Sequence, residues 1–192
     1  RFGVDVAGRR ALDAGASTGG FTDCLLQRGA SHVVAVDVGY GQLHERLRHD
    51  ARVTVLERTN VRRLVLDEPA DVVVGDLSFI SLSTVAPALL GPNAAPGAAV
   101  VLLVKPQFEA GRAEVSKGRG VVRDPVVWRR VLEETTSALA GHGAAMMGAM
   151  VSPLRGADGN VEFLVHLRAH EAAPGAARVV DLDAVVAEAA ER

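Results

Sequence analysis

The chain has 192 residues, 48% of them hydrophobic and 23% charged, with a formal net charge of −2 at pH 7. That is enough chain for one α/β domain with a full core, in a balance ordinary for globular proteins. No apolar run approaches the roughly 18–20 residues of a membrane span, and the charge lacks the basic surplus of a free-standing nucleic-acid binder. Cys24, the one cysteine, allows no internal disulfide, which suits a reducing cytoplasm. The six histidines show no metal-ligand spacing, so no metal is expected. Charges and a turn interrupt the first ten residues, which therefore carry no signal-peptide pattern.

Apolar runs of strand length alternate with helical patterns along the chain. A short first strand over 10–14 runs into a glycine-rich turn. A helix follows over 19–28, its period set by Phe21, Cys24 and Leu25 and its stop by Gly29. The β-branched run 32–36 reads as a buried strand. A short helix over 42–48, a third strand over 53–56 and a fourth over 71–75 come next. A loop and helix over 78–90 stop at Gly91-Pro92-Asn93, and a fifth strand occupies 98–104. Residues 106–123, rich in glycine and charge, read as a long mobile loop of the kind that carries function. Asp124 and Pro125 open a helix that reaches about residue 140. Strands over 144–151 and 161–167 flank a turn at 155–159. Too little chain separates them for a crossover, so they form an antiparallel hairpin. An Ala/Pro/Gly linker over 172–177 precedes a terminal helix over 181–191.

Ligands of open α/β sheets bind beyond the carboxyl ends of the strands. There the first, second, fourth and fifth strands end in Asp13, Asp37, Asp76 and Lys105. Any one of these reads equally well as a strand emerging into water; four beside a glycine-rich turn point to a site. The turn reads Asp13-Ala14-Gly15-Ala16-Ser17-Thr18-Gly19-Gly20. Its glycines allow close backbone approach, and the helix start offers free N–H groups. Ser17 stands where the dinucleotide pattern needs its second glycine, and Asp13 repels a diphosphate but attracts a cationic amino group. S-adenosylmethionine, with an α-amino group and a sulfonium, matches. Asp37, about 24 positions on, has the spacing of an acid that reads a ribose diol. The same turn fits the G-x-S-x-G elbow of serine hydrolases, with Asp76 and His142 or His166 in the right chain order. Against that reading, no upstream glycine-rich loop supplies an oxyanion hole.

A second constellation joins Asp76, Lys105 and Glu162, the last placed in the final strand. An ammonium among carboxylates orients a poorly acidic hydroxyl and takes its proton or stabilises its oxyanion. The alternatives are a structural Lys105–Asp76 ion pair and an exposed edge glutamate. Residues 76–79 lack the Asn/Asp-Pro-Pro-aromatic sequence of base-nitrogen methylation, and Cys24, set in the first helix, reads as core rather than nucleophile.

These stretches, 12–21 (LDAGASTGGF), 35–42 (AVDVGYGQ), 75–81 (GDLSFIS), 103–109 (LVKPQFE) and 118–124 (GRGVVRD), resemble the FtsJ-type ribose methyltransferases and most closely the TlyA family. The resemblance covers roughly residues 1–168. It implies a Rossmann-like class I methyltransferase of α/β class, with a seven-stranded, mostly parallel sheet, an antiparallel last strand and helices on both faces. It further implies methyl transfer from S-adenosylmethionine to cytidine 2′-hydroxyls in the ribosomal RNA of both subunits, with ribosomal RNA or ribosomal subunits as partners. Members are also labelled haemolysins, but no span or strongly amphipathic basic helix supports membrane activity here. Of the family's Lys-Asp-Lys-Glu catalytic set, Asp76, Lys105 and Glu162 match the last three. The donor set expected is Asp13, Gly15, Ser17, Thr18, Gly19, Gly20, Phe21, Asp37, Asn60 and Asp76. Asn60 faces the adenine, and Arg112, Lys117, Arg119 and Arg123 grip RNA phosphates, unless the loop is simply a solvated charged surface. The methyltransferase domain is expected over 1–171, with linker and terminal helix over 172–192. The family's first lysine and its S4 RNA-binding domain have no counterpart before Lys105, so the expectation is a fragment of such an enzyme; the alternative readings are a donor-binding domain that is inactive alone and a membrane-active haemolysin.

Overall fold

The runs of Val, Leu and Ala that read as buried strands pair into one sheet. A computed structural model describes residues 1–171 and 177–192, less the side chains at positions 112, 113, 117 and 157. The strands are β1 (Arg10–Ala14), β2 (His32–Val36), β3 (Val53–Leu56), β4 (Ala70–Gly75), β5 (Ala94–Val104), β6 (Ala145–Val151) and β7 (Phe163–Arg168). Their order is β3-β2-β1-β4-β5-β7-β6. The first five run parallel, and β7 is antiparallel to both β5 and β6. This is the expected mostly parallel sheet with its last strand reversed. Both faces are covered. On one, Leu12 and Ala14 join α3 (Leu82–Leu90), α6 (Pro125–Gly141) and α7 (Leu182–Ala190) in the larger core. On the other, Ala11 and Val33 pack with Leu25 and Leu26 of α1 (Gly20–Gln27) and Leu47 of α2 (Glu45–Arg48). Alternate residues of one strand thus serve opposite cores.

Several boundaries move for identifiable reasons. The second helix starts at Glu45, not at residue 42, because the His44 side chain accepts from Arg46 N–H and caps it. The fifth strand starts at Ala94: Ala70 pairs with Ala94, and an irregularity absorbs the extra residues before Val72 meets Ala99. The stretch 106–123 is not one loop. It forms α4 (Pro106–Glu109) and α5 (Arg112–Lys117), the former with proline in its first turn. Beyond them, buried Asn160 accepts from Val122 N–H at 3.1 Å and donates to Gly120 O at 3.1 Å. The seventh strand starts at Phe163, so Glu162 lies just before it rather than within it. Cys24 is half-buried on α1, outside both cores. The linker expected at 172–177 falls, except for residue 177, outside the described residues. After it, Val185, Val186 and Ala189 of α7 join the larger core, and Arg129 of α6 pairs with Asp183 at 2.7 Å.

Asn93, from the run read only as a helix stop, is fully buried. Its amide donates to Leu64 O and Ala88 O, both at 2.9 Å, and its carbonyl accepts from Leu66 N–H at 2.8 Å. It therefore ties the approach to β4 to the end of α3. Asn93→Ala strands three backbone groups and is expected to cost about 3 kcal/mol in urea unfolding; a change within about 0.5 kcal/mol would show that water replaces the amide.

Candidate active site

The β1–β2 and β1–β4 registers bring Ala14, Val36 and Gly75 level, so the loops after three strands leave the sheet together. Asp76 N–H donates to Ala14 O at 3.0 Å, and Gly15 N–H donates to Val36 O at 2.8 Å. Gly15 has φ +82°, and a Cβ there would run into the Asp76 carbonyl oxygen. Gly19, at φ +102°, is pressed against Leu47 and Leu43 in the same way. The glycines that suggested ligand approach thus also serve chain-on-chain contact. Ser17 adopts φ +48°; its N–H donates to Asp37 Oδ2 at 2.8 Å, and Gly39 N–H donates to Asp37 Oδ1 at 2.7 Å. Asp37 therefore braces two loops at the position where it was expected to read a ribose.

A cleft of about 360 Å³ opens here, lined by Gly15, Ser17, Asp37, Asn60 and Asp76 of the expected set. Thr59, Gln42, Gly39, Leu77, Ser78, Phe79 and Ile80 complete much of its wall. Sequence reasoning had not singled these out; their signal is that most fall inside the motif stretches 35–42 and 75–81. Asn60 also accepts from Arg62 N–H at 3.0 Å, capping a 3₁₀ turn over Val61–Arg63. Thr18, Gly19 and Gly20 instead line a separate depression with His44 and Arg46. Phe21 packs against the smaller core. Asp13 is fully buried: Thr22 Oγ1 donates to its Oδ2 at 2.6 Å, while Oδ1 has no partner. No histidine lines the cleft, and His166 lines a different one with Asp5, Arg9 and Arg168. The hydrolase reading thereby loses its base. Among the described residues no three metal-ligating side chains converge, and no helix is long and apolar enough to cross a membrane.

Asp76 also faces the second constellation. Lys105 Nζ lies 2.5 Å from Asp76 Oδ1 and donates to Ser78 Oγ at 3.0 Å, with most of the lysine side chain buried. The β5–β7 register pairs Val104 with Phe163, which sets Lys105 and Glu162 at neighbouring strand ends. Glu162 is buried, and burial above all raises its carboxyl from the usual range; the bond from Gln107 and the Lys105 charge oppose this, and Asp76 adds to it. Phe79, almost wholly exposed at φ +64°, stands at the mouth with its ring 5.0 Å from that of Phe108. Arg119 and Arg123 are exposed, and neither lines the cleft, while the side chains of Arg112 and Lys117 lie outside the described residues. Two acids of the same stretch are engaged with other elements: Glu114 pairs with Arg130, and Glu109 caps α3.

A sheet of this order with β7 reversed is the Rossmann-like fold of S-adenosylmethionine-dependent methyltransferases. One from Mesorhizobium loti shares it with a TM-score of 0.62 at 20% identity, over 87% of this chain and 94% of that one. Residues 1–169 match the FtsJ-like methyltransferase model, and the chain belongs to the FtsJ-like methyltransferase family, within its TlyA group. It is similar to the 16S/23S rRNA (cytidine-2'-O)-methyltransferase TlyA of Mycobacterium tuberculosis, with 55% identity over 170 residues, 87% of this chain and 63% of that protein. The chain thus spans less than two thirds of that relative's length. A Lactococcus lactis structure provisionally named a hemolysin superposes with a TM-score of 0.92 at 39% identity, covering 98% of this chain and 90% of that one.

Burial raises the Asp13 carboxyl from 3.8 to about 6, with the Thr22 bonds opposing and Asp76 and Asp37 adding. Between about pH 4 and 6 the native state therefore holds a proton that the unfolded chain has released, and stability falls as pH rises through this window. Asp13→Asn is expected to lose this slope and to gain on the order of 2–3 kcal/mol above pH 6. Urea unfolding of both proteins at pH 4.5 and 8 (on the order of two units either side of 6) reads the difference; parallel pH dependences would refute it.

Proposed function

We propose that this domain transfers a methyl group from S-adenosylmethionine to a cytidine ribose 2′-hydroxyl in ribosomal RNA. The observation that carries the reading is the double position of Asp76, which lines the cleft and pairs with Lys105. A ligand held in the cleft therefore meets the polar cluster directly. The cleft is of small-ligand size and is edged by Asp37 and Asp76, whose charges also act on the buried Asp13 carboxyl. That acidic surround fits a donor carrying an ammonium and a sulfonium. When bound, S-adenosylmethionine supplies an electrophilic methyl group. Gly15, Ser17, Asp37 and Asn60 hold and orient it. Lys105, fixed between Asp76 and Ser78, donates to the 2′-oxygen and stabilises the charge that develops there. As the new C–O bond forms and the methyl–sulfur bond breaks, the hydroxyl proton passes to a neighbouring carboxylate, Asp76 or Glu162.

Arg112, Lys117, Arg119 and Arg123 supply phosphate contacts that position the strand without reading its sequence. Residues 1–171 form the transferring domain, acting on ribosomal RNA of both subunits in the cytoplasm. The named activity of the Mycobacterium tuberculosis relative supports this substrate class.

Lys105→Ala is expected to lower transfer of labelled methyl groups to ribosomal subunits by about 1000-fold or more. Donor affinity, read by calorimetry, should stay within about threefold. Retained transfer would remove Lys105 from the chemistry, and lost donor binding would reassign it to the cleft. Ser17→Ala is expected to leave transfer within about tenfold, because Ser17 contributes its backbone N–H.

A further inference from the structure

We infer that Gln107 and Gly156 form a two-sided seat that positions the Glu162 carboxylate, an inference that rests on the transfer reaction proposed above. Among the described residues Lys105 makes no hydrogen bond or ion pair to Glu162; its ammonium pairs with Asp76 and donates to Ser78, and it acts on Glu162 through charge. The partner is Gln107, whose Nε2 donates to Glu162 Oε1 at 3.0 Å. The other end of the same amide, Gln107 Oε1, is buried with no partner. Burying an unpaired carbonyl is unfavourable, and an apolar side chain would avoid it. Among the described residues, the one bond that the amide makes is the one to Glu162.

The opposite wall is Gly156. A Cβ there would sit 2.6 Å from Glu162 Cδ and overlap Oε1. Gly156 does not have a left-handed φ, so its backbone tolerates a side chain and the carboxylate is what excludes one. The main chain is held on both sides, Ser152 N–H donating to Glu162 O at 2.8 Å and Gly156 N–H to Asn160 O at 2.9 Å. Gln107 is fixed in turn through Glu109, two residues on in α4. Glu109 accepts from Ser81 Oγ at 2.6 Å and from Leu82 N–H at 2.7 Å at the start of α3. The groups acting on Glu162 are thus Lys105 from the end of β5, Asp76 from the end of β4 and the Gln107 amide from α4. Gln107 and Gly156 are positioning residues: neither carries a group that moves a proton, and both act through the carboxylate.

The test uses Gln107→Met, which keeps length and apolar packing but removes the donor, and Gly156→Ala, which crowds the carboxylate with Gln107 intact. In the 192-residue chain, carbon-13 NMR of the Glu162 carboxyl should show its titration midpoint move to higher pH in Gln107→Met, because the bond favours the ionised form. In the transfer assay each variant should lower kcat about tenfold to a hundredfold with little change in donor KM. Neither should lower it further in a Glu162→Gln background. An unshifted midpoint, or equal losses with and without Glu162, overturns the seat and leaves the proposed function standing. Wild-type transfer by Glu162→Gln removes the role through which the seat acts. No transfer by the wild-type protein overturns the proposed reaction itself, and the NMR midpoint still decides the contact.

Discussion

Backbone meets backbone where the turn after β1 passes the turn after β4. Asp76 donates its N–H to Ala14 O, and Gly15 lies so close to the Asp76 carbonyl that no side chain fits between them. Parallel pairing of β1 with both β2 and β4 sets this level. Once it is set, Ser17 reaches Asp37, Asp37 reaches Gly39, and the cleft has a floor made of main chain. The rigidity needed to hold a small ligand comes from the sheet rather than from the loops.

The second half of the site hangs on the five residues 105–109. Lys105 bonds toward Asp76 and Ser78, Gln107 toward Glu162, Phe108 packs its ring at a tilt against that of Phe79, and Glu109 caps α3. One turn of helix therefore joins the loop after β4 to the connection before β7. Its proline in the first turn matches the helical φ and gives up an N–H that has no helical partner there, which lets so short a helix form.

Stability is given up around this cluster. Asp13, Gln107 and Glu162 place polar atoms in the interior, and burial raises both carboxyls. Asp13 accepts from the Thr22 hydroxyl and, among the described residues, pairs with no cation. Such a buried acid, close enough to the cleft's Asp37 and Asp76 to feel their charges, suits a cationic occupant there, and a fold optimised for stability alone would replace it. The formal charge of −2 hides this, since a net charge sums the whole surface and says nothing of one pocket.

The strands were legible because β-branched runs bounded by turn residues have few other uses; β1, β2 and β3 match their expected bounds, and the reversed β7 follows from the short 155–159 turn. Asp13, Asp37, Asp76 and Lys105 could be placed at strand ends from sequence alone, because ligands of parallel sheets gather there. Other features were hidden. Short helices such as α4 and α5 carry too few residues to show a period, and their charges read as loop. Gln107, Gly156 and Asn93 have no local signature, since each is defined by what another segment brings to it. The split of the glycine turn, with Gly15 and Ser17 on the cleft and Thr18, Gly19 and Gly20 facing elsewhere, depends on how the chain rotates as it enters α1. Sequence determined which strands and longer helices form and which chemistry each strand end carries, because these depend on local propensity and pattern. Tertiary structure alone decided which side chains meet, because strand register and loop contact are set by pairing between distant segments.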